Sequence, residues 1–182
     1  MVSLRKASAY SKKKVVPYTR VSKKMQKSYI KTVPPQKIVK FTMGKENLFN
    51  NGDLPYVLTV VSTQKVQVRH NALEACRQYV NKKLEKEFLG QYYFKVIPYP
   101  HHLQRENKML TGAGSDRMQK GMQLSFGRTV GKAVITKKGM RIFYIALPNL
   151  KAVKFTRELL NDIKAKLPGK KTGFLIECTE LI

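Results

Sequence analysis

The sequence is poor in acidic residues, histidine and cysteine, and it has no tryptophan. Eleven Asp and Glu stand against thirty-six Lys and Arg in 182 residues, and residues 1–45 contain no acid. Two cysteines, Cys76 and Cys178, are too few and too far apart to indicate a disulfide framework or a metal centre. Both fall on apolar faces of predicted elements, so we expect buried free thiols, no bound metal and no cofactor.

Long hydrophobic runs are also missing. No apolar stretch approaches the roughly 20 residues that a membrane-spanning helix requires, and the Lys-rich start lacks the apolar segment of a signal peptide. The basic regions contain no helix with a wide apolar face of the kind that lies on membranes. We expect a soluble, cytoplasmic protein with no membrane partner.

A large excess of positive charge dominates what is present. The formal net charge is +25, while 42% of the residues are hydrophobic. That hydrophobic fraction is sufficient for a core, and the length suggests one domain with appendages. Because so much charge of one sign opposes compaction unless a polyanion neutralises it, nucleic acid is the expected class of partner.

The first 36 residues form a basic segment that cannot build a core alone, and residues 37–182 are expected to form the domain. Tyrosines and prolines recur among the lysines, which favours an arm ordered by RNA, although a solvated disordered tail is the alternative. Tyr can stack on an unpaired base while Lys neutralises phosphates. The candidate RNA contacts in the arm are Arg5, Lys6, Tyr10, Lys12, Lys13, Lys14, Tyr18, Arg20, Lys23 and Lys24.

The hydrophobic pattern predicts alternating strands and two helices. The first helix is predicted to start at a capping box formed by Asn71 and Glu74 and to stop at Gly90, and the second to run from an Asn149 cap to Pro168-Gly169. Strands are predicted at Lys37–Met43, Tyr56–Thr63, Gln91–Tyr99, Gly121–Phe126, Val130–Thr136, Arg141–Leu147 and Thr172–Cys178.

This order of elements predicts an α+β sandwich. Two strand–helix–strand halves imply two helices on one face of a mixed or antiparallel sheet. A turn at Lys137-Lys138-Gly139 joins the Val130 and Arg141 strands, which suggests a β-hairpin inserted beside the sheet.

Residues 101–133 have the composition of a phosphate-binding loop region. Between His101 and Arg141, nine Lys or Arg face only two acids, and glycines recur through the span. RNA contact is expected, with a solvated basic surface as the alternative. The candidate contacts are His101, His102, Arg105, Asn107, Arg117, Lys120, Arg128 and Lys132.

The same region gives little support to catalysis or metal binding. The run from Thr111 to Ser115 lacks the Gly-Lys-Ser/Thr ending of a nucleotide-binding loop. Ser115-Asp116 with a histidine is the only candidate nucleophile and base, and these residue types are too common to carry weight. Adjacent histidines in an extended segment point to opposite sides, so His101 and His102 cannot easily share a metal. We therefore do not expect the protein to be an enzyme.

Several segments of the sequence are specific enough to indicate a family. The stretches YPHHLQRENKMLTGAGSDRMQKGMQLSFGRTVGKA and NALEACRQYVNKKLEKE, with PYTR, YIKTVPPQKIVKF and MG before them, resemble the archaeal and eukaryotic L-ten-e family of large-subunit ribosomal proteins. The bacterial relative of that family is L-sixteen. The resemblance covers nearly the whole chain.

The resemblance implies an α/β-hammerhead fold and a place on large-subunit rRNA between the peptidyl-transferase region and the central protuberance. It implies neighbouring ribosomal proteins as partners, no homo-oligomer, and a loop, within about residues 101–120, that points toward the acceptor end of aminoacyl-tRNA. That loop is Lys108, Met109, Leu110, Thr111, Gly112, Ala113, Gly114, Ser115 and Asp116. A free RNA-binding module or RNA chaperone is the alternative function.

Overall fold

The computed structural model describes residues 33–106, 128–168 and 173–180. The helices among them are α1 (Glu46–Asn50), α2 (His70–Phe88) and α3 (Leu150–Ile163), which continues into a 3-10 turn at Lys164–Lys166. The strands are β1 (Thr42–Gly44), β2 (Tyr56–Ser62), β3 (Gln67–Arg69), β4 (Tyr93–Val96), β5 (His102–Glu106), β6 (Arg128–Ile135), β7 (Arg141–Leu147) and β8 (Phe174–Glu180).

The larger sheet has five strands in the order β1-β4-β7-β2-β8, and every neighbouring pair is antiparallel. Register places Leu58, Ile145 and Phe94 side by side across three strands. All three are fully buried in one core cluster with residues of α2 and α3. The α+β prediction, with two helices on one face of an antiparallel sheet, is therefore confirmed.

Helical periodicity explains why α2 and α3 pack on this face. In α2 the buried positions Leu73, Cys76, Val80 and Leu84 recur at intervals of three and four, so they form one stripe. Burial raises the pKa of the Cys76 thiol to about 12, so this cysteine is an unreactive core residue, as predicted.

Within the described residues, none of the helices combines the length and apolar character that a bilayer crossing requires.

The second face of the larger sheet is covered in part by the short helix α1, which the sequence pattern did not reveal. Phe49 of α1 stacks on Tyr93 at 5.0 Å between ring centroids and meets Tyr144 edge-on at 5.8 Å. Leu54, Val57, Tyr93 and Ala146 are buried in this smaller cluster. Five residues give too short a periodic signal to separate such a helix from a loop.

A separate three-stranded sheet has the order β3-β6-β5. Its apolar face contributes Val68 and Val134, which are paired in register and belong to the main core. The predicted hairpin was assigned to the wrong strands, because β6 pairs with β5 and β3 whereas β7 lies in the larger sheet. The turn at Lys137-Lys138-Gly139 exists, but it carries the chain from one sheet to the other.

Several local predictions were also wrong. Helix α2 begins at His70 with Arg69 at its cap position, and Glu74 instead accepts hydrogen bonds from Arg77 at 2.7 Å and Gln78 at 2.9 Å. Burial raises the pKa of Glu74, but these hydrogen bonds outweigh it and lower the pKa overall. No side-chain hydrogen bond caps α2 or α3 within the described residues, although α3 does follow Asn149.

Strand boundaries and one cysteine also differ from expectation. The predicted Lys37–Met43 strand is reduced to Thr42–Gly44, with Val39 and Lys40 exposed. Cys178 is exposed, because β8 is an edge strand whose last residues extend past the helices' cover. The predicted strand at 121–126 lies outside the described residues.

Gly44 offers a stringent test of the packing at the β1 edge. It adopts φ +82°, and a Cβ there would lie 2.0 Å from the Tyr92 carbonyl oxygen. Gly52 has φ +85° with nothing within 4 Å of the equivalent position. Gly52→Ala should cost about 1–2 kcal/mol from the left-handed conformation alone, and Gly44→Ala about 1–3 kcal/mol more from the clash. Urea unfolding of both variants measures this, and equal losses would contradict it.

Candidate nucleic-acid interface

The structure brings five predicted RNA contacts together on the hairpin formed by β5 and β6. His101 immediately precedes β5, His102 and Arg105 lie on it, and Arg128 and Lys132 lie on β6. The remaining candidates lie outside the described residues: Arg5, Lys6, Tyr10, Lys12, Lys13, Lys14, Tyr18, Arg20, Lys23, Lys24, Asn107, Lys108, Met109, Leu110, Thr111, Gly112, Ala113, Gly114, Ser115, Asp116, Arg117 and Lys120.

The register of the hairpin places these basic residues at defined positions. Leu103 lies opposite Lys132, Arg105 opposite Thr129 and Glu106 opposite Arg128, with a bulge after Gln104. Because the bulge inserts one residue into β6, it changes the direction in which the side chains beyond it project. His101 and Arg128 are exposed, and both lie clear of the hairpin's buried centre.

One face of the small sheet is polar although it is largely buried. Arg69, Ala133 and His102 lie side by side across the three strands, and Gln104 lies opposite Gly131. Gln104 is only 2% exposed, and neither amide atom has a hydrogen-bond partner among the described residues. A Cβ at Gly131 would lie 3.3 Å from Nε2 of His70 and 3.9 Å from Oε1 of Gln104. An alanine at this position would therefore require the His70 side chain to shift by a few tenths of an ångström.

The sequence prediction missed this buried polar group. Neither His70 nor any residue of Gln67–Arg69 was among the predicted site residues, and no strand was predicted there. Polar residues at alternate positions in a three-residue strand give almost no periodic signal. Among residues 33–106, 128–168 and 173–180, no three His, Cys, Asp or Glu side chains come together as a group that could hold a metal ion.

His70 is uncharged near neutral pH although it lies beside the basic hairpin. Burial lowers its pKa to about 4, assisted by the positive charges of Arg69, Lys37 and Lys132. His70 also begins α2, whose first turn contains no acidic residue. The positive end of the helix dipole therefore adds to the potential of the nearby cations, so this part of the surface favours anions.

Comparison with known proteins identifies the family. The family described as ribosomal protein L16p/L10e matches residues 16–173. The chain belongs to this family. The resemblance found in the sequence is therefore confirmed over most of the chain.

Several archaeal relatives support the same assignment. The large ribosomal subunit protein uL16 of Hyperthermus butylicus is 42% identical over 153 residues, covering 84% of this chain and 79% of the relative. The uL16 proteins of Sulfolobus acidocaldarius and Methanospirillum hungatei are 39% and 40% identical, covering 91% and 88% of this chain and 89% and 92% of theirs.

The buried His70 predicts a specific pH dependence of stability. The unfolded chain takes up a proton on this imidazole near pH 6.5, whereas the folded protein does so only near pH 4. The free energy of unfolding should therefore fall as pH drops from about 6.5 to 4, because the unfolded state binds more protons there. Urea unfolding across this range, compared between wild type and His70→Gln, isolates the effect. Parallel stability curves for the two proteins would contradict it.

Proposed function

We propose that the chain is a structural constituent of the large ribosomal subunit, located in the cytoplasmic ribosome, where it binds large-subunit rRNA. The family match over residues 16–173 carries this proposal. The net charge of +25 supports it, since RNA phosphates supply the counter-charge that eleven acidic residues cannot. The role is structural rather than catalytic, as in the ribosomal family to which the chain belongs.

The hairpin of β5 and β6 is the part of the described structure best suited to hold RNA. Arg128 is exposed, and a guanidinium can bind two phosphate oxygens at once. Lys132 is half-buried, and a lysine in such a position can bury its aliphatic stem while its ammonium acts as a point charge. Val68 and Val134 fix this sheet to the main core, which holds the cations in a defined place.

The hairpin also defines the ends of the proposed tRNA-proximal segment. Glu106 and Arg128, the two described residues that flank this segment, are paired at one end of the hairpin. We place Lys108–Asp116 toward the acceptor end of aminoacyl-tRNA, with Arg105, Arg117 and Arg128 anchoring the region on rRNA. The position between the peptidyl-transferase region and the central protuberance follows from the family resemblance.

Two further parts of the proposal concern assembly. Residues 1–36 act as a basic arm that rRNA orders, because the segment combines dense positive charge with tyrosine and has no acid. Residues 37–182 act as one RNA-binding domain. Neighbouring large-subunit proteins are its protein partners, and it functions as a single copy rather than a homo-oligomer.

Phosphate contact predicts a steep dependence of RNA affinity on salt. The logarithm of affinity for a large-subunit rRNA transcript should fall by about 0.7–0.9 per phosphate neutralised for each unit of log salt. Arg128→Gln should lower that slope by about one phosphate's share. Lys86→Gln serves as the matched control, because Lys86 is exposed between Glu85 and Glu87. Filter binding at several salt concentrations measures the slopes, and a wild-type slope near zero would refute the proposal.

The proposed anchoring of the hairpin on rRNA and the proposed positioning of tRNA predict different defects when residues of this region are changed. Arg128→Ala should mainly reduce incorporation into large subunits, by about 1–3 kcal/mol in binding if its charged hydrogen bonds are lost. Deleting residues 111–115 should leave incorporation intact, since the deleted residues are uncharged, but slow peptide-bond formation with full-length tRNA. Protein stoichiometry and reaction rates of purified subunits test this. Normal rates with the shortened loop would exclude a role at the tRNA.

A further inference from the structure

Three aromatic side chains form a row that runs from the core to the surface beside the hairpin. Phe41 packs against the main core cluster and stacks on Tyr99, with 5.4 Å between ring centroids and 26° between planes. Tyr99 in turn contacts the His101 ring at 4.6 Å and 50°. Tyr99 is 45% exposed and His101 is exposed, so the outer end of the row is accessible to solvent.

The backbone holds this row in place. The Val96 amide donates to the Phe41 carbonyl at 2.7 Å, and the Ile97 amide donates to the Ile142 carbonyl at 3.0 Å. Pro98 and Pro100 are buried on either side of Tyr99, and proline fixes φ. A ligand that stacks on the row would therefore meet a surface that is already ordered, which reduces the entropic cost of binding.

The two chain segments that form the row are basic in sequence, although Glu74 of α2 accepts a hydrogen bond from the Val39 backbone amide. Residues 33–45 and 88–105, which supply the row, contain no Asp or Glu. Lys40 precedes Phe41 in the chain, and the exposed residues Lys95, Ile97, Tyr99 and His101 alternate with the buried residues Val96, Pro98 and Pro100. An aromatic face beside exposed lysines is complementary to a nucleotide, whose base stacks and whose phosphate is anionic.

We propose that an unpaired RNA base stacks on the outer face of His101 and extends the row formed by Phe41, Tyr99 and His101. The exposed Lys40 and Lys95 lie on the two segments that form the row and are available to phosphates elsewhere on the same RNA strand. Tyr99 is a positioning residue that supports the His101 ring. The inference rests on the proposed binding of rRNA and adds the kind of contact made at this surface. A bulge or loop nucleotide fits the site, since such bases are free to stack on protein rings.

A substitution series at His101 separates stacking from a phosphate contact. His101→Tyr keeps an aromatic face and loses the imidazole, whereas His101→Lys keeps a cation and loses the ring. With a large-subunit rRNA transcript as probe, His101→Ala and His101→Lys should bind about fivefold to tenfold more weakly, and His101→Tyr within about twofold of wild type. The salt slope of His101→Ala should equal that of wild type, because stacking releases no counterions.

A second measurement checks that the effect is local. Tyr99→Leu should weaken binding as His101→Ala does, whereas Tyr99→Phe should not, and thermal melting should show all the His101 variants folded like wild type. Ultraviolet crosslinking with peptide mapping should attach a nucleotide to the segment 98–102.

The possible results distinguish this inference from the function on which it rests. Restored affinity with Lys but not Tyr would overturn stacking in favour of a phosphate contact. Wild-type affinity for His101→Ala, with steep salt dependence retained, would overturn the stacking site and leave rRNA binding standing. Wild-type binding that is weak and independent of salt would overturn both. A crosslink from this segment to a neighbouring protein instead of RNA in assembled subunits would also overturn the stacking site.

Discussion

The apolar layer between strand β7 and the two long helices is the constraint on which the rest of the structure depends. Phe143, Ile145 and Leu147 of β7 are fully buried, and β7 pairs with strands on both sides. A chain with a net charge of +25 loses stability through self-repulsion when it folds. The buried layer must offset that repulsion, because the few acidic residues cannot neutralise the charge.

This core also decides where the basic surface lies. The chain passes directly from β6 to β7 through the turn at Lys137–Gly139, so the small sheet is tethered to the central strand of the larger one. Val68 and Val134 then fix the small sheet through its apolar face. The cations of β5 and β6 are consequently presented on a rigid support, which suits a protein that positions RNA rather than one that transforms it.

The sequence predicted those elements whose signal is local. The stripe from Leu73 to Leu84 defined α2, and the hydrophobic runs of β2 and β7 defined two strands of the sheet. Strand pairing was mispredicted because the partners of β6 are distant in sequence, and a turn alone does not show whether the strands it joins share a sheet. Strand β5 was not predicted, because four of its five residues are polar or charged and such a sequence lacks the usual composition of a strand.

The sequence predicted which residues form the candidate site better than it predicted how they are arranged in space. Charge density identified His101, Arg105 and Arg128, and the structure places Arg105 and Arg128 on the paired strands β5 and β6 with His101 directly before β5. Their contact with RNA stays a prediction. The burial of individual side chains was not predictable, and it distinguishes two of the histidines. His70, 3% exposed among cations, is held neutral, whereas His101 lies in solvent at the end of an aromatic row. The same residue type therefore occupies two different environments: the His70 imidazole is buried among polar side chains, whereas the His101 ring is exposed and is the one that we propose stacks on an RNA base.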